Sequence, residues 1–283
     1  MSIKKSTRHT FKMILVYGGL LMFLITMLLP MYFAIVTSVK PDVEIYAKER
    51  QPLWVFKPTI DHYIYLLEQT QFKTWLKNSL IVSVSSTAIA IVVGSMAAYA
   101  LARLRFKGKE AVSTIIFITY LVPTTLLFLP MAYLIRQLGL YDKLPSLILT
   151  YPTFLIPFTT LLMIGYFRGI PKELEECATV DGATRIQALW YIVLPLTLPG
   201  LVSSGLFAFT MSWNEFIYAL TFTQTASVKT ITVGVVSQLV LADVFFWGSL
   251  MAAAVIGSIP IVILYSFFLE YYVKGMTAGA VKG

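Results

Sequence analysis

Two short stretches hold the side chains able to do polar chemistry in an otherwise apolar sequence. "ELEECATVDG" opens with Glu173, Glu175 and Glu176 and closes on Asp181-Gly182, and "WNE" sets Trp213, Asn214 and Glu215 together. Asn and Glu can hydrogen-bond a polar solute, and a cluster of carboxylates in a first helical turn complements the helix dipole. No catalytic constellation accompanies them. The single cysteine, Cys177, excludes an internal disulfide, and His9 and His62 are far apart, so metal-ligand spacing is missing. The nearest approach to a phosphate-binding loop, "GKE" at 108–110, lacks the upstream glycine and the Ser or Thr after Lys. No catalytic residue, no metal ligand and no cofactor bound by this chain is expected. The energy for any work must come from a separate polypeptide or an ion gradient.

The elements that position these residues follow from the spacing of charge. The 283 residues are 58% hydrophobic and 13% charged, too few polar groups to keep a soluble domain of this size dispersed. Uncharged intervals cover 13–39, 78–102, 111–135, 144–167, 186–214 and 244–269, which are 27, 25, 25, 24, 29 and 26 residues long. A hydrocarbon core about 30 Å thick takes roughly 20 helical residues, so each interval spans once and none twice. The expected fold is all-α: a membrane domain over 13–273 with six transmembrane helices at about 13–37, 78–102, 111–136, 145–167, 198–220 and 246–272. The first run is too long for a signal-peptide core and lacks a small-residue cleavage site, so it reads as a retained anchor.

The net charge of +8 does not point to nucleic acid, because it is laid out by membrane side. With the N-terminus inside, the cytoplasmic segments hold Lys4, Lys5, Arg8, Lys12, Arg103, Arg105, Lys107, Lys109, Arg168, Lys172, Arg185, Lys274 and Lys282, which is 13 of the 22 basic residues. Short loops rich in Lys and Arg stay inside. Both termini are therefore expected in the cytoplasm, with 1–12 and 274–283 as short inner tails and 168–197 as an inner loop.

Pro30, Pro123, Pro130, Pro157 and Pro260 lie within the apolar runs, where each must kink a helix or free a carbonyl. The second span is rich in Ser, Ala and Gly, which lets helices approach closely and suits a central place in the bundle. In the outer loop 40–77, Ile64, Leu67, Phe72, Trp75 and Leu76 fall near helical spacing, predicting a short helix along the surface. Residues 221–246 read as a partly re-entrant or surface-lying link.

Local physics divides the acidic loop into two short helices. Pro171 suits a first helical position, Asp181-Gly182 signals a turn, and a second helix is expected from about Thr184 to Trp190, closed by Pro195 and Pro199. Leu174, Cys177 and Ala178 share one small, smooth face. An amphipathic helix on anionic lipid displays Lys and Arg, whereas Arg168, Lys172 and Arg185 here face Glu173, Glu175, Glu176 and Asp181, giving 3 − 4 = −1. A cytoplasmic protein partner suits that balance better than lipid.

This stretch resembles the cytoplasmic signature loop of ABC-importer permease subunits: Glu-Ala-Ala, three residues, Gly, nine residues, Ile, one residue, Leu-Pro. Glu176, Cys177, Ala178, Gly182, Ile192, Leu194 and Pro195 fall in that register, with Cys177 in place of the first Ala. "TSVKPDVEIYA", "NSLIVSVSSTAIAIVVGSMAAYALARLRFKGK", "LGLYD", "LPLTLPGL", "SWNEFIYAL" and the ending "GMTAGAVKG" extend the likeness over nearly the whole chain, to carbohydrate-uptake permeases of the maltose-transporter type. The resemblance implies the type I importer permease fold, a second homologous permease subunit, two cytoplasmic ATP-binding subunits that hold ATP and magnesium, and an extracytoplasmic solute-binding protein. It implies that Glu176, Ala178, Gly182 and Pro195 couple to the ATPase, with Glu175, Cys177 and Asp181 beside them and Ile192 and Leu194 completing the motif. It also implies that the C-terminal ending lies against the ATPase.

For the substrate pathway or an outer gate the candidates are Trp213, Asn214, Glu215 and Tyr120, with Asn78 and Tyr99 as weaker ones. If the fifth span enters near Gly200, fifteen residues at about 1.5 Å each place Glu215 near the outer boundary, so an interfacial or subunit-contact role competes with cavity lining. A permease for a glycerol phosphate type solute is the nearest alternative. An ion-coupled secondary transporter expects buried mid-membrane charge and an internal repeat, and a receptor expects a cytoplasmic signalling domain; neither feature is visible here.

Overall fold

The computed structural model describes the backbone at residues 3–47, 53–242 and 244–280, with side chains at 12–47, 53–242 and 244–271. By its internal contacts the chain divides into two units, Met1–Thr70 with Ser237–Ser258, and Gln71–Val236 with Ile259–Gly283.

In the first unit, α1 (Ile3–Ser38) is apolar on all sides after Lys12 and exposed along most of that stretch, so lipid or another protein must cover it. Two short helices follow, α2 (Asp42–Ile45) and α3 (Asp61–Glu68). Glu44 accepts hydrogen bonds from the backbone N–H groups of Phe56 and Lys57, and His62 Nε2 donates to the Lys40 carbonyl at 2.8 Å. Strands β1 (Val240–Leu241) and β2 (Val244–Phe245) pair antiparallel, and the Phe245 carbonyl accepts from the Tyr46 hydroxyl.

The second unit is built around α4 (Phe72–Arg103), which packs on α8 (Pro152–Gly169) and on α12 (Leu198–Trp213). Its buried face reads Ser79, Ser83, Ser86, Ala90, Gly94 and Ala98. Steps of three and four keep these small residues on one stripe, and small residues let backbones close up where lipid tails remove the hydrophobic drive. A Cβ added at Gly94 would stand 2.9 Å from Thr159 of α8, so glycine is the residue that permits this approach.

The remaining helices of this unit are α5 (Lys109–Leu121), α6 (Thr124–Gln137), α7 (Leu144–Thr150), α9 (Glu173–Val180), α10 (Arg185–Ala188), a π-helical turn (Leu189–Val193), α11 (Leu194–Leu196) and α13 (Ile217–Phe222), while α14 (Ile231–Leu239) begins here and ends in the first unit. The last helix, α15 (Trp247–Ala280), begins in the first unit and continues in the second. Among the described residues, four stretches are long and apolar enough to cross a membrane, and six if each of two bent pairs counts as one span.

Several elements depart from the sequence expectations. The third span is not straight: α5 and α6 meet at 98° around Val122 and Pro123, where proline removes a ladder hydrogen bond. The fifth, expected over 198–220, ends at Trp213 and resumes at Ile217. Phe72, Trp75 and Leu76 belong to the start of α4 rather than to a separate surface helix. Helix continues through α15 to Ala280, beyond the expected start of a C-terminal tail at 274; the final three residues lie outside the described ones.

Candidate functional site

The acidic loop folds as a compact knob. Glu173, Glu175 and Glu176 fill the first turn of α9, as the dipole favours. The helix ends in a Schellman motif: Ala183 N–H donates to the Ala178 carbonyl at 2.9 Å and Gly182 N–H to the Thr179 carbonyl at 3.1 Å. Gly182 sits at φ +91°, a left-handed conformation that glycine adopts without a Cβ penalty. Thr184 then caps α10 in a capping box with Gln187. The helical run from Arg185 carries Ile192, Leu194 and Pro195 through the π-helical turn and into α11, before a 77° bend leads into α12.

The two central glutamates part company. Glu176 is exposed, with Cys177 and Asp181. Glu175 turns inward: its Oε1 lies 3.1 Å from Arg103 Nε, out of line for a hydrogen bond, and its Oε2 accepts from the Tyr99 hydroxyl at 3.3 Å. The Arg103 side chain is 4% exposed, and its Nη2 also donates to the Ile170 carbonyl at 2.6 Å. A cleft of ≈ 640 Å³ opens beside this pair, bordered by Arg105, Lys172, Glu176 and Arg185. Ala178 and Ala188 are buried beneath the knob. Val180, Ile186, Trp190 and Tyr191 are at least 62% exposed, an apolar fringe that nothing among the described residues covers.

At the other end of α4, Trp75 Nε1 donates to the Ala226 carbonyl, Asn78 Nδ2 to the carbonyls of Ser227 and Lys229, and Ser79 Oγ accepts from Ile231 N–H. Asp142 secures the same loop from the turn before α7. Its carboxyl accepts from the N–H groups of Gln224 and Thr225 at 2.8 and 2.9 Å and from the Thr225 hydroxyl. Partial burial pushes the Asp142 carboxyl up, but those donors and nearby Lys229 outweigh it and hold its pKa below the ordinary 3.8. A depressed folded pKa means that the clamp is at full strength above 3.8 and is lost as pH falls through the folded value. Hydrogen-exchange protection at Gln224 and Thr225 is expected to collapse in that acidic window. The Asp142→Asn protein, which keeps one uncharged acceptor oxygen, should lack the step and show reduced protection that does not change across this window.

Each of the four outer-gate candidates has partners of its own. Glu215 Oε2 accepts from the Tyr151 hydroxyl at 2.8 Å and from Ala219 N–H at 3.0 Å, and Oε1 accepts from Tyr218 N–H at 2.8 Å. From the position before the N-cap residue Phe216, its side chain satisfies the N–H groups in the first turn of α13. Trp213 is buried and stacks on Phe209, Asn214 Nδ2 donates to the Thr210 carbonyl, and Tyr120 tilts against Phe158. None of the four lines the 640 Å³ cleft or the apolar cavity of ≈ 380 Å³ between α4, α12 and α15. Tyr99 and Asn78, the weaker candidates, are the residues that tie the two ends of α4. Nothing in the spacing of charges marked Arg103 or Asp142 as tethers: Arg103 closes the uncharged interval 78–102, and Asp142 stands beside Lys143, which precedes the interval 144–167.

A bundle of apolar helices around a close-packed central one, carrying a capped acidic knob between spans, defines a membrane transport subunit. The model of the family described as binding-protein-dependent transport system inner membrane component matches residues 90–278, and the chain belongs to that family. It is 35% identical to the inner membrane ABC transporter permease protein YcjP of Escherichia coli, over 98% of this chain and 99% of that one. It is also 35% identical to the trehalose/maltose transport system permease protein MalG of Thermococcus litoralis, over 96% and 97%. Among solved structures, a bacterial ABC transporter involved in import of the acidic polysaccharide alginate superposes with a TM-score of 0.80 at 23% identity, covering 94% of this chain and 98% of that one. That likeness fixes the type I importer permease fold.

Proposed function

We propose that this chain is the non-catalytic, membrane-spanning half of an ATP-driven importer for a sugar or oligosaccharide. It forms the translocation path with a second homologous permease subunit. Two cytoplasmic ATP-binding subunits, which hold the ATP and magnesium, grip the α9–α10 knob, and an extracytoplasmic solute-binding protein delivers the solute. Both termini lie in the cytoplasm. The observation that carries the reading is the knob itself: an ordered, doubly capped helix pair presents Glu176, Cys177 and Asp181 beside the bare Val180, Ile186 and Trp190. An apolar fringe rimmed by charge, at a net balance lipid headgroups do not attract, suits a protein groove. The sugar assignment draws on relatives named for trehalose/maltose transport and for sulfoquinovosyl glycerol transport, the latter 36% identical over 92% of this chain.

Tagged chain purified in mild detergent from its own membranes is expected to bring down ATP-hydrolysing subunits. Vesicles holding the whole complex should accumulate a labelled disaccharide from a test panel only when supplied with ATP and the binding protein. Full-rate uptake by vesicles bearing this polypeptide alone would refute the reading and favour an ion-coupled carrier.

A further inference from the structure

We propose that α4 is the rod that carries movement between the knob and the loop at 223–231, with the Arg103–Glu175 pair as its joint at the knob. The inference rests on the coupling role proposed above and adds to it the path by which the signal crosses the membrane.

Three observations converge on α4. The first is stiffness. This helix runs 32 residues with no interior proline, whereas α1, α8 and α15 contain Pro30, Pro157 and Pro260, and the two bent pairs carry Pro123 and Pro199 at their breaks. An unbroken ladder of backbone hydrogen bonds transmits displacement along its axis, and a proline interrupts it.

The second is attachment. From Trp75 to Arg103 is 28 residues, about 42 Å at 1.5 Å per residue. At one end the side chains of Tyr99 and Arg103 hold Glu175 of α9 and the carbonyl of Ile170. At the other, Trp75, Asn78 and Ser79 bind four backbone groups of residues 226–231. Both fixings reach segments lying outside the bundle of long helices.

The third is the surface in between. The hydroxyls of Ser83, Ser86, Thr87 and Ser95 on α4, of Thr159 and Thr160 on α8 and of Ser203 on α12 are buried without a protein hydrogen-bond partner. No directional bond from these groups pins α4 to its neighbours along the small-residue stripe. Among the described residues, the directional side-chain bonds of α4 to other elements lie at its two ends, with close packing between them, and a helix held in this way can shift as a unit. The Arg103–Glu175 pair is a suitable joint, since its cation is buried and its carboxylate only partly exposed, which weakens screening by salt.

The test uses the assembled complex, with magnesium and ATP as the probe and hydrogen exchange as the readout. ATP is expected to change protection of residues 173–183 and, about tenfold, of residues 224–231, a response in the range usual for coupled sites. In Arg103→Gln the change at 173–183 should persist while that at 224–231 disappears. Arg103→Lys, which keeps a cation against Glu175, should restore most of it. Tyr99→Phe, which removes one contact without loss of volume, should weaken it by about threefold and serves if Arg103→Gln does not assemble. An ATP response at 224–231 that is absent from the unaltered complex, or undiminished in the variants, overturns the rod. Absence of any response at 173–183 in the unaltered complex instead overturns the coupling role on which it rests.

Discussion

Gly182→Pro is expected to leave the protein in the membrane and to stop ATP-binding subunits from co-purifying with it. Proline fixes φ near −65° where the chain needs +91°, and it deletes the N–H that closes the turn on the Thr179 carbonyl. The end of α9 and the start of α10 would then part, although space is not the obstacle: nothing lies within 4 Å of a Cβ built on Gly182. Glu176→Lys tests the same surface without touching the backbone, because Glu176 is exposed and its reversal changes only the charge offered to a partner. Groups at the centre of a docking face typically carry about 2–4 kcal/mol each, so either change should weaken assembly by about 30- to 1,000-fold. Thermal unfolding of the isolated chain should move little in Glu176→Lys, since the residue packs against nothing in the core. Co-purification and uptake at the unaltered level in both proteins would remove the knob from the mechanism.

How the two glutamates differ shows where sequence reasoning stops. Adjacent residues on a helix point about 100° apart, so Glu175 and Glu176 cannot share a partner. Their order in the motif register was readable, but which one faces inward depends on where the end of α4 passes, and that is a tertiary fact. The spans were readable because a charge in hydrocarbon costs enough to exclude it, so Lys12, Lys40, Lys77 and Arg103 bracket two of them directly. Pro123 marked a bend and not its 98°, because a missing hydrogen bond permits a turn whose size packing then sets. The depth assigned to Glu215 counted fifteen residues from Gly200 at a uniform rise. The α12 helix stops two residues short of it, and that break gives the residue its role.

Glu215→Ala is accordingly expected to destabilise the protein rather than to alter solute preference. Its side chain satisfies three donors, the hydroxyl of Tyr151, which is 0% exposed, and the N–H groups of Tyr218 and Ala219 in the first turn of α13. Its own carbonyl accepts from the Thr232 hydroxyl, so the residue also holds the start of α14. Truncation strands those donors where water does not replace the acceptor, at a cost of about 3–5 kcal/mol, or a midpoint lowered by roughly 10 °C. Glu215→Gln keeps one acceptor oxygen but turns an amide N–H₂ toward donors, and should lose about half as much. Tyr151→Phe removes a member of the same network, so its effect should not add to that of Glu215→Ala. Residues that grip a sugar behave in the opposite way: their loss raises the half-saturating solute concentration while the midpoint stays put. Measuring both quantities on Glu215→Gln separates the two roles, and an unchanged midpoint with a raised uptake KM would return Glu215 to the solute path.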